Sequence, residues 1–577
     1  MSTTRKIFIW IVSIIGIAGI VMLVYSLMNN DKNLTYIGGV FVLITFLMTI
    51  VRALTSIIPL DKSKKTLPNT SFDININFNL KKEEPEIRYP NSPSINYDIA
   101  IEQMKEGNYE KALEAFKIAS KQYYDTSNKY SSDVAKTDYN IGLMYIELAN
   151  YKEAKNHLIA ALSWFKQDER KENIRDITLI QYNIAYIYYM ECEFDKVITF
   201  CEDYITSIET QHTEVYDLLI NFKILLAKCY AIKGDFDTPF NIYNSFEASI
   251  TSTDNYELMS KVYDGVIDFY YDIENYDIAY DKAKKLLDIQ LKHFGRKHLY
   301  TARTYNSIGS IYWSKNDNKN ALRNHEKALE IRELLLNANH PDVLTSKHNI
   351  ANGYYRLNEY KKSLELHSEI LKTRETLLGK KHPDTASSYI SVGFLYAIKK
   401  RIKESQNMFQ LAVEIREDVF GDCNLLTANS YDLISVVFMV KKEYDTALDY
   451  LFRSVSIAEK ILGELHHNVI EKKCRITMLL LKLGRYSQAY DLINETYRSE
   501  LNSSRTDYSQ QAVIYVLLAG TCSKLEKKEE ANEYIQFGIR AYCKYVNKPY
   551  FTDNINFKRA LNNGIRVIQF FIWSRKL

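Results

Sequence analysis

Small residues recur in this chain at an interval of about 42. The series is Ala112, Ala154, Val197, Pro239, Ala279, Ala321, Ser363, Ser405, Ala447, Ala489 and Ala531. Its steps are 42, 43, 42 and 40, then 42 six times over. Twelve residues earlier a second small residue tends to recur, as Ala100, Gly142, Ala185, Ala227, Gly309, Ala351, Gly393, Ser435 and Ala519. Nine residues before the anchors stands an aromatic: Tyr145, Tyr188, Tyr230, Tyr270, Tyr312, Tyr354 and Tyr396, then Phe438. A fixed period of roughly 20–50 residues marks a stacked array of units that cannot bury their apolar faces alone.

Each unit reads as two helices. Ser346–Leu357 supplies a helix A with Ile350, Ala351 and Tyr354 at helical spacing. Asn358 and Glu359 turn the chain, and Tyr360–Leu378 supplies a longer helix B. The paired small residues let the helices approach closely, with the tyrosine filling the space beside them. Between units, Leu378-Gly379-Lys380-Lys381-His382-Pro383-Asp384-Thr385 ends one helix with glycine and opens the next with proline in its first turn. Asn339-His340-Pro341-Asp342 gives the same start without the glycine. About eleven units are expected over 95–545, an all-α array.

The units resemble tetratricopeptide repeats. The 42-residue period with Leu-Gly-x-x-His-Pro-Asp-Thr is similar to the kinesin light chain type, most closely from Ala328 to Val343. The resemblance runs through 95–545 and is strongest over 300–465. It implies a right-handed α-α superhelix whose helix A faces line a concave groove for a peptide or protein segment. Departures are Pro239 in place of the small anchor, a fifth unit two residues short, and Asn318 and Lys528 where an aromatic is usual. A bend or weaker packing is expected over 235–280. Two helix A positions carry recurring amides, Asn140, Asn183, Asn306 and Asn349, with Asn352 one turn further on. In similar grooves asparagines near these positions hold a ligand's backbone, since an amide both donates and accepts; the plainer reading is that they bond neighbouring helices or face water. His325, His348 and His367 read as packing or surface residues, and no metal or cofactor is expected.

Ahead of the repeats, residues 1–60 read as a transmembrane hairpin. Ile7 to Met28 is free of charge, and 22 such residues span roughly 33 Å as a helix, enough for a hydrocarbon core of about 30 Å. Thr35 to Val51 is a second uncharged run, extending toward Ile58 if Arg52 snorkels to the interface. A signal peptide is the rival reading, but no A-x-A site follows and a second apolar run comes at once. Arg5 and Lys6 before the first span, with Arg52, Lys62, Lys64 and Lys65 after the second, outweigh Lys32 in the loop. The positive-inside rule then puts both termini and the array in the cytoplasm.

Residues 61–94 form a proline-rich linker in which 72–80 (Phe72, Ile74, Ile76, Phe78 and Leu80 alternating with polar residues) has the pattern of a strand. It reads either as a tether laid along the first repeats or as a strand pairing with a partner or between protomers, the last of which would give a homo-oligomer. At the other end, residues 546–577 carry a helix over Asn556–Leu577 with Phe557, Leu561, Ile565, Ile568 and Ile572 on one face. A cap for the open end of the stack is expected there, with an interfacial membrane helix as the alternative.

The rest is exclusion. Net charge is +3, and residues 1–95 hold ten Lys and Arg against six Asp and Glu, so the body has no basic field for nucleic acid. Seven cysteines without a CxxC pair suit a reducing compartment. No phosphate-binding glycine loop, H-E-x-x-H or G-x-S-x-G occurs, and no length remains for a catalytic domain, so an enzyme is not expected. The reading is a membrane-anchored scaffold or adaptor that binds a protein or peptide in the groove, with the bilayer as a second partner. The alternatives are a membrane-perturbing effector whose repeats are the sensor, and a subunit or assembly factor of a membrane complex.

Overall fold

The computed structural model describes residues 91–126, 132–167, 173–209, 215–250, 255–501 and 508–545. The two expected spans, the strand at 72–80 and the helix at 556–577 lie outside the described residues. Among the described residues no helix is long and apolar enough to cross a membrane. What they form is an all-α repeat solenoid, twenty-two helices taken in eleven successive A–B pairs, with no strand among them. The first pair is Pro93–Lys105 with Tyr109–Thr126, and the last is Tyr508–Lys524 with Lys528–Tyr545.

The repeating anchors are buried because the helices of a pair cross where they lie. Ala112, Ala154, Ala279, Ala321, Ser363, Ser405, Ala447 and Ala489 are fully buried. A Cβ on Gly309 would stand 2.7 Å from the His325 ring, and one on Gly142 would meet Leu158 at 2.9 Å, so each approach needs a bare backbone. Pro239 is buried within the first turn of Asp237–Ile250, where the missing N–H has no partner to lose. The aromatic beside each crossing is half-buried and often roofed by a cation: Lys196 lies 3.9 Å from the Tyr188 centroid and Arg401 4.4 Å from that of Tyr396.

The turn from helix A to helix B is built the same way in every pair. Gly107, Ala149, Cys192, Gly234, Glu274, Asn316, Asn358, Lys400, Lys442, Gly484 and Glu526 all have positive φ. In the sixth pair Asn316 N–H donates to the Trp313 carbonyl at 2.9 Å and Asp317 N–H to that of Tyr312 at 2.8 Å, the paired bonds of a Schellman turn. Eight of these eleven residues are not glycine, though the left-handed region costs an L-residue about 1–2 kcal/mol. The turn's two hydrogen bonds and the packing of the flanking helices offset that cost. The unit expected to begin at Ser346 begins at Pro341, because the His340 Nδ1 accepts from Asp342 N–H and caps the helix five residues earlier.

A second ladder ties each pair to the next. Arg332, Arg374 and Arg416 are buried near the ends of three helices B. Their Nη1 groups donate to Ser346, Ser388 and Ser430 Oγ at 2.7, 2.9 and 2.8 Å, and to the carbonyls of Asp342, Asp384 and Leu426. One pair earlier Gln290 does this work, accepting from Thr304 and donating to Ser260. Burial pulls these guanidiniums below their usual pKa, Arg416 to about 10, with Asp342 opposing it at Arg332 and Asp384 at the other two.

Candidate functional site

The five amides do not form one row. Asn140, Asn183 and Asn349 share a repeat position, fourteen residues before Ala154, Val197 and Ser363, whereas Asn306 stands fifteen before Ala321. The first two are tied back to the preceding helix A: Asn140 Nδ2 donates to Tyr97 Oη at 2.8 Å and Asn183 Nδ2 to Tyr139 Oη at 3.2 Å. Each also donates to a carbonyl of its own helix, Lys136 or Leu179. Their donors are therefore spent on the protein, and only their carbonyl oxygens remain to meet a ligand.

Asn306, Asn349 and Asn352 belong to a different setting. Asn349 Nδ2 donates to Asn306 Oδ1 at 2.7 Å, and the same oxygen lies 3.0 Å from His325 Nδ1. An amide oxygen only accepts, so His325 carries its proton on Nδ1. His325 in turn packs against Trp313, ring centroids 4.8 Å apart. The Arg356 guanidinium lies 5.2 Å from the Trp313 centroid. One pair on, His367 Nε2 donates to Asn352 Oδ1 at 3.2 Å, and the His367 and His348 rings meet edge to face at 5.0 Å.

Of these side chains, Trp313, Asn352, Arg356 and His367 border a cavity of about 220 Å³, lined also by Tyr355, Ile390, Ser391, Phe394 and Leu395; Asn306, Asn349, His325 and His348 lie outside that lining. The lining comes from helices Leu299–Ser314, Pro341–Arg356 and Pro383–Ile398, three successive helices A, with His367 supplied by the helix B between them. Burial holds the imidazoles neutral: His325 is pushed down to about 4, with Arg332 adding to the effect, and His367 to about 4, helped by Arg374. His348 falls to about 3, by burial and then by His367 and Arg374. Trp313 Nε1, His325 Nε2, His348 Nδ1 and His367 Nδ1 are buried and have no hydrogen-bond partner. Two of these atoms, Trp313 Nε1 and His367 Nδ1, belong to residues that line the cavity, whereas His325 Nε2 lies against Gly309; a buried polar group left unpaired costs about 1–3 kcal/mol. The lining offers an indole donor, one imidazole acceptor, one cation and an apolar floor of Ile390, Phe394 and Leu395. Among the described residues no group of three His, Cys, Asp or Glu converges to hold a metal.

The sequence brought Asn352 and the histidines to notice but not Arg356 or Phe394, which sit at repeat positions with no shared residue type, nor Trp313, whose position is aromatic also in Tyr189, Tyr271 and Tyr355. The available signal was Trp313 itself, one of four tryptophans in the chain and the one in its best-kept stretch.

Comparison with known proteins agrees on the repeat. A tetratricopeptide repeat model matches residues 258–334, 317–375 and 342–418, and a second such model matches 137–168. No curated protein matches the chain. Among solved structures, a putative kinesin light chain with nearly identical TPR-like repeats from Podosopora anserina is 17% identical over 36% of this chain and 100% of its own, with a TM-score of 0.32. The apo form of the quorum sensor NprR from B. thuringiensis is 15% identical over 63% of this chain and 97% of its own, at 0.39. A Rap protein complexed with Competence and Sporulation Factor is 16% identical over 65% of this chain and 100% of its own, at 0.36. Residues 137–168 and 258–418 are thus tetratricopeptide repeats, and the cavity lies wholly within the second stretch.

Proposed function

We propose that the chain is a membrane-anchored scaffold that captures an extended peptide segment on the helix A face of its sixth to eighth pairs. The observation that carries this reading is the cavity beside Trp313 and Arg356, sized for one side chain and bordered by buried polar atoms awaiting partners. A segment lying across three helices A would present a carbonyl to the Trp313 N–H, an N–H to the His367 Nδ1, and an apolar side chain to Ile390 and Phe394. Groups of this kind, an aromatic anchor with an arginine in a partly desolvated pocket, contribute most of the energy in peptide recognition. In this reading the solenoid coils right-handed, the hairpin in 1–60 holds it at the cytoplasmic face, and anchoring raises the partner's local concentration without any chemistry. The uncharged runs Ile7–Met28 and Thr35–Val51 with their basic flanks support the anchor.

Selection from a random peptide display library, with the full chain in detergent as bait, tests the site. A converged motif whose capture is lost in Trp313→Ala and Arg356→Ala supports it. No convergence, or a motif indifferent to both changes, contradicts it. Carbonate-resistant sedimentation with membranes that disappears on deleting residues 7–58 tests the anchor; release of the intact chain by carbonate contradicts it.

A further inference from the structure

The loops that enter pairs seven to ten do more than start helices. Each rests on the A–B turn of a pair far behind it in sequence. Asn337 Nδ2 donates to the Glu106 carbonyl at 2.7 Å, His382 Nε2 to that of Glu147 at 2.9 Å, and Asn424 Nδ2 to that of Met190 at 2.9 Å. These partners lie 231, 235 and 234 residues apart. His466 makes the fourth contact, with the backbone of Ile232. Pro341 packs so tightly on Gly107 that a Cβ there would stand 2.6 Å from its ring. Apolar contacts fill the line between: Tyr151 stacks on Phe420 at 6.0 Å, and Ala458, Leu462 and Val469 share a core with Ala185, Phe194 and Cys229.

The chemistry of the four contacts is one design in two forms. In His382 and His466, Nδ1 accepts the N–H two residues on, from Asp384 and Asn468 at 3.1 and 3.2 Å, so Nε2 must carry the proton that goes across the gap. Asn424 does the same with Oδ1, accepting from Leu426 N–H at 2.8 Å, and with Nδ2. His340 caps with Nδ1 in the same way while Asn337 crosses. A proton added to any of these Nδ1 atoms sets two N–H groups face to face and destroys the cap. We propose that this seam is a clasp between two turns of the solenoid, held shut by neutral imidazoles at His340, His382 and His466 and opened by their protonation.

Burial depresses all three rings, His466 to about 4, with Arg332 adding to the effect at His340, Arg374 at His382 and His467 at His466; Asp342 and Asp384 oppose it. The bonds from His382 and His466 to the Glu147 and Ile232 backbones oppose it too, and a protonated ring still donates them, so protonation acts through the lost cap. The shut state therefore binds fewer protons than the open one. Its stability is full above a pH of about 6.5 and declines as pH falls, up to about tenfold in the open-to-shut ratio per unit for each ring, until the shut-state value is reached. One group works the other way. The Glu147 carboxyl, bonded by Tyr109 and facing Asp384 and Asp342, is raised by burial and takes up a proton more readily when shut. Tyr151, beside Asp384 and Glu147, is neutral over this range, and Glu110 lies across from Gly379. Three rings outweigh one carboxyl.

Two measurements on the full chain in detergent decide the matter. At pH 7.5 a short bis-maleimide should link Cys192 to Cys423, two half-buried thiols on opposite sides of the seam, the Cys192 thiol bonding the Leu425 backbone and feeling the charge of Cys423. Mass spectrometry of monomer should find that link; single alkylation of both thiols without it overturns the seam. Hydrogen–deuterium exchange corrected for intrinsic rate is then followed from pH 7.5 to 5. Peptides covering 340–344, 382–386 and 466–470 should lose protection steeply while 424–428, capped by Asn424, changes little. In the His340→Asn, His382→Asn, His466→Asn chain, which copies Asn424, that loss should vanish while helix content by circular dichroism is kept. Equal loss at all four loops, or loss that persists in the triple variant, overturns the histidine clasp; should the triple variant not fold, His382→Asn alone must remove the loss at 382–386.

Discussion

Two kinds of junction in the stack bury the same charge from opposite sides. Where pairs six, seven and eight meet their successors, the cation comes from helix B, as Arg332, Arg374 and Arg416 reaching forward to a serine. Where pair nine meets pair ten, the arginine position is Ala458 and the serine position is Lys472. The Lys472 ammonium reaches back to Ser454 Oγ at 2.7 Å and to the Asp432 carboxylate, and it is almost fully buried. The stack thus keeps a bonded cation in the junction while the residue that supplies it changes element. The counter-groups differ as well. The arginines bond neutral hydroxyls and carbonyls, with Arg416 Nε left unpaired, whereas Lys472 depends on a carboxylate that is itself buried.

That difference sets an order of sensitivity. Lys472→Met leaves the buried Asp432 carboxylate with only the Arg475 guanidinium 3.9 Å away, and removing one partner of a buried pair costs about 3–5 kcal/mol. The urea midpoint of the repeat transition should fall accordingly. Arg374→Ala leaves the Ser388 hydroxyl donating to the Asp384 carbonyl at 3.3 Å, so only the bonds from the guanidinium are lost, about 1–3 kcal/mol by the same measurement. If Arg374→Ala proves the costlier, the contrast between carboxylate and neutral counter-groups is wrong. Adding Ala458→Arg and Asp432→Asn to Lys472→Ser should make the junction of pairs nine and ten behave like that of pairs eight and nine, with part of the Lys472→Met loss recovered; no recovery would mean that the two junctions are not interchangeable. The smallest effect is expected at Asn140→Ala, which removes the single bond to Tyr97 for about 0.5–1.5 kcal/mol.

What the sequence revealed and what it hid follow from range. The buried alanines, the glycines at crossings and the His-Pro-Asp starts are local signals, and they mark the pairs correctly. The left-handed turns were hidden because Ala149, Cys192, Glu274 and Lys400 hold that conformation without glycine, through bonds to the preceding helix. Half of the role of His382 was hidden as well: its cap is two residues away, but its second partner is 235 residues away. Asn306 stands one residue out of register with Asn349, and only the curvature of the stack brings them to 2.7 Å. The cavity was the least legible part, since it needs Trp313, Arg356, His367 and Phe394 from four different helices.

The account rests on Trp313 being at the ligand, and its fluorescence is the direct test. Replacing Trp10, Trp164 and Trp573 by phenylalanine leaves Trp313 as the sole indole of the chain. Titration of this protein with the display-selected peptide should shift the emission of Trp313 in a saturable way, and Arg356→Ala should abolish the shift. Saturating peptide that leaves the Trp313 emission unchanged would place the ligand elsewhere and contradict the site.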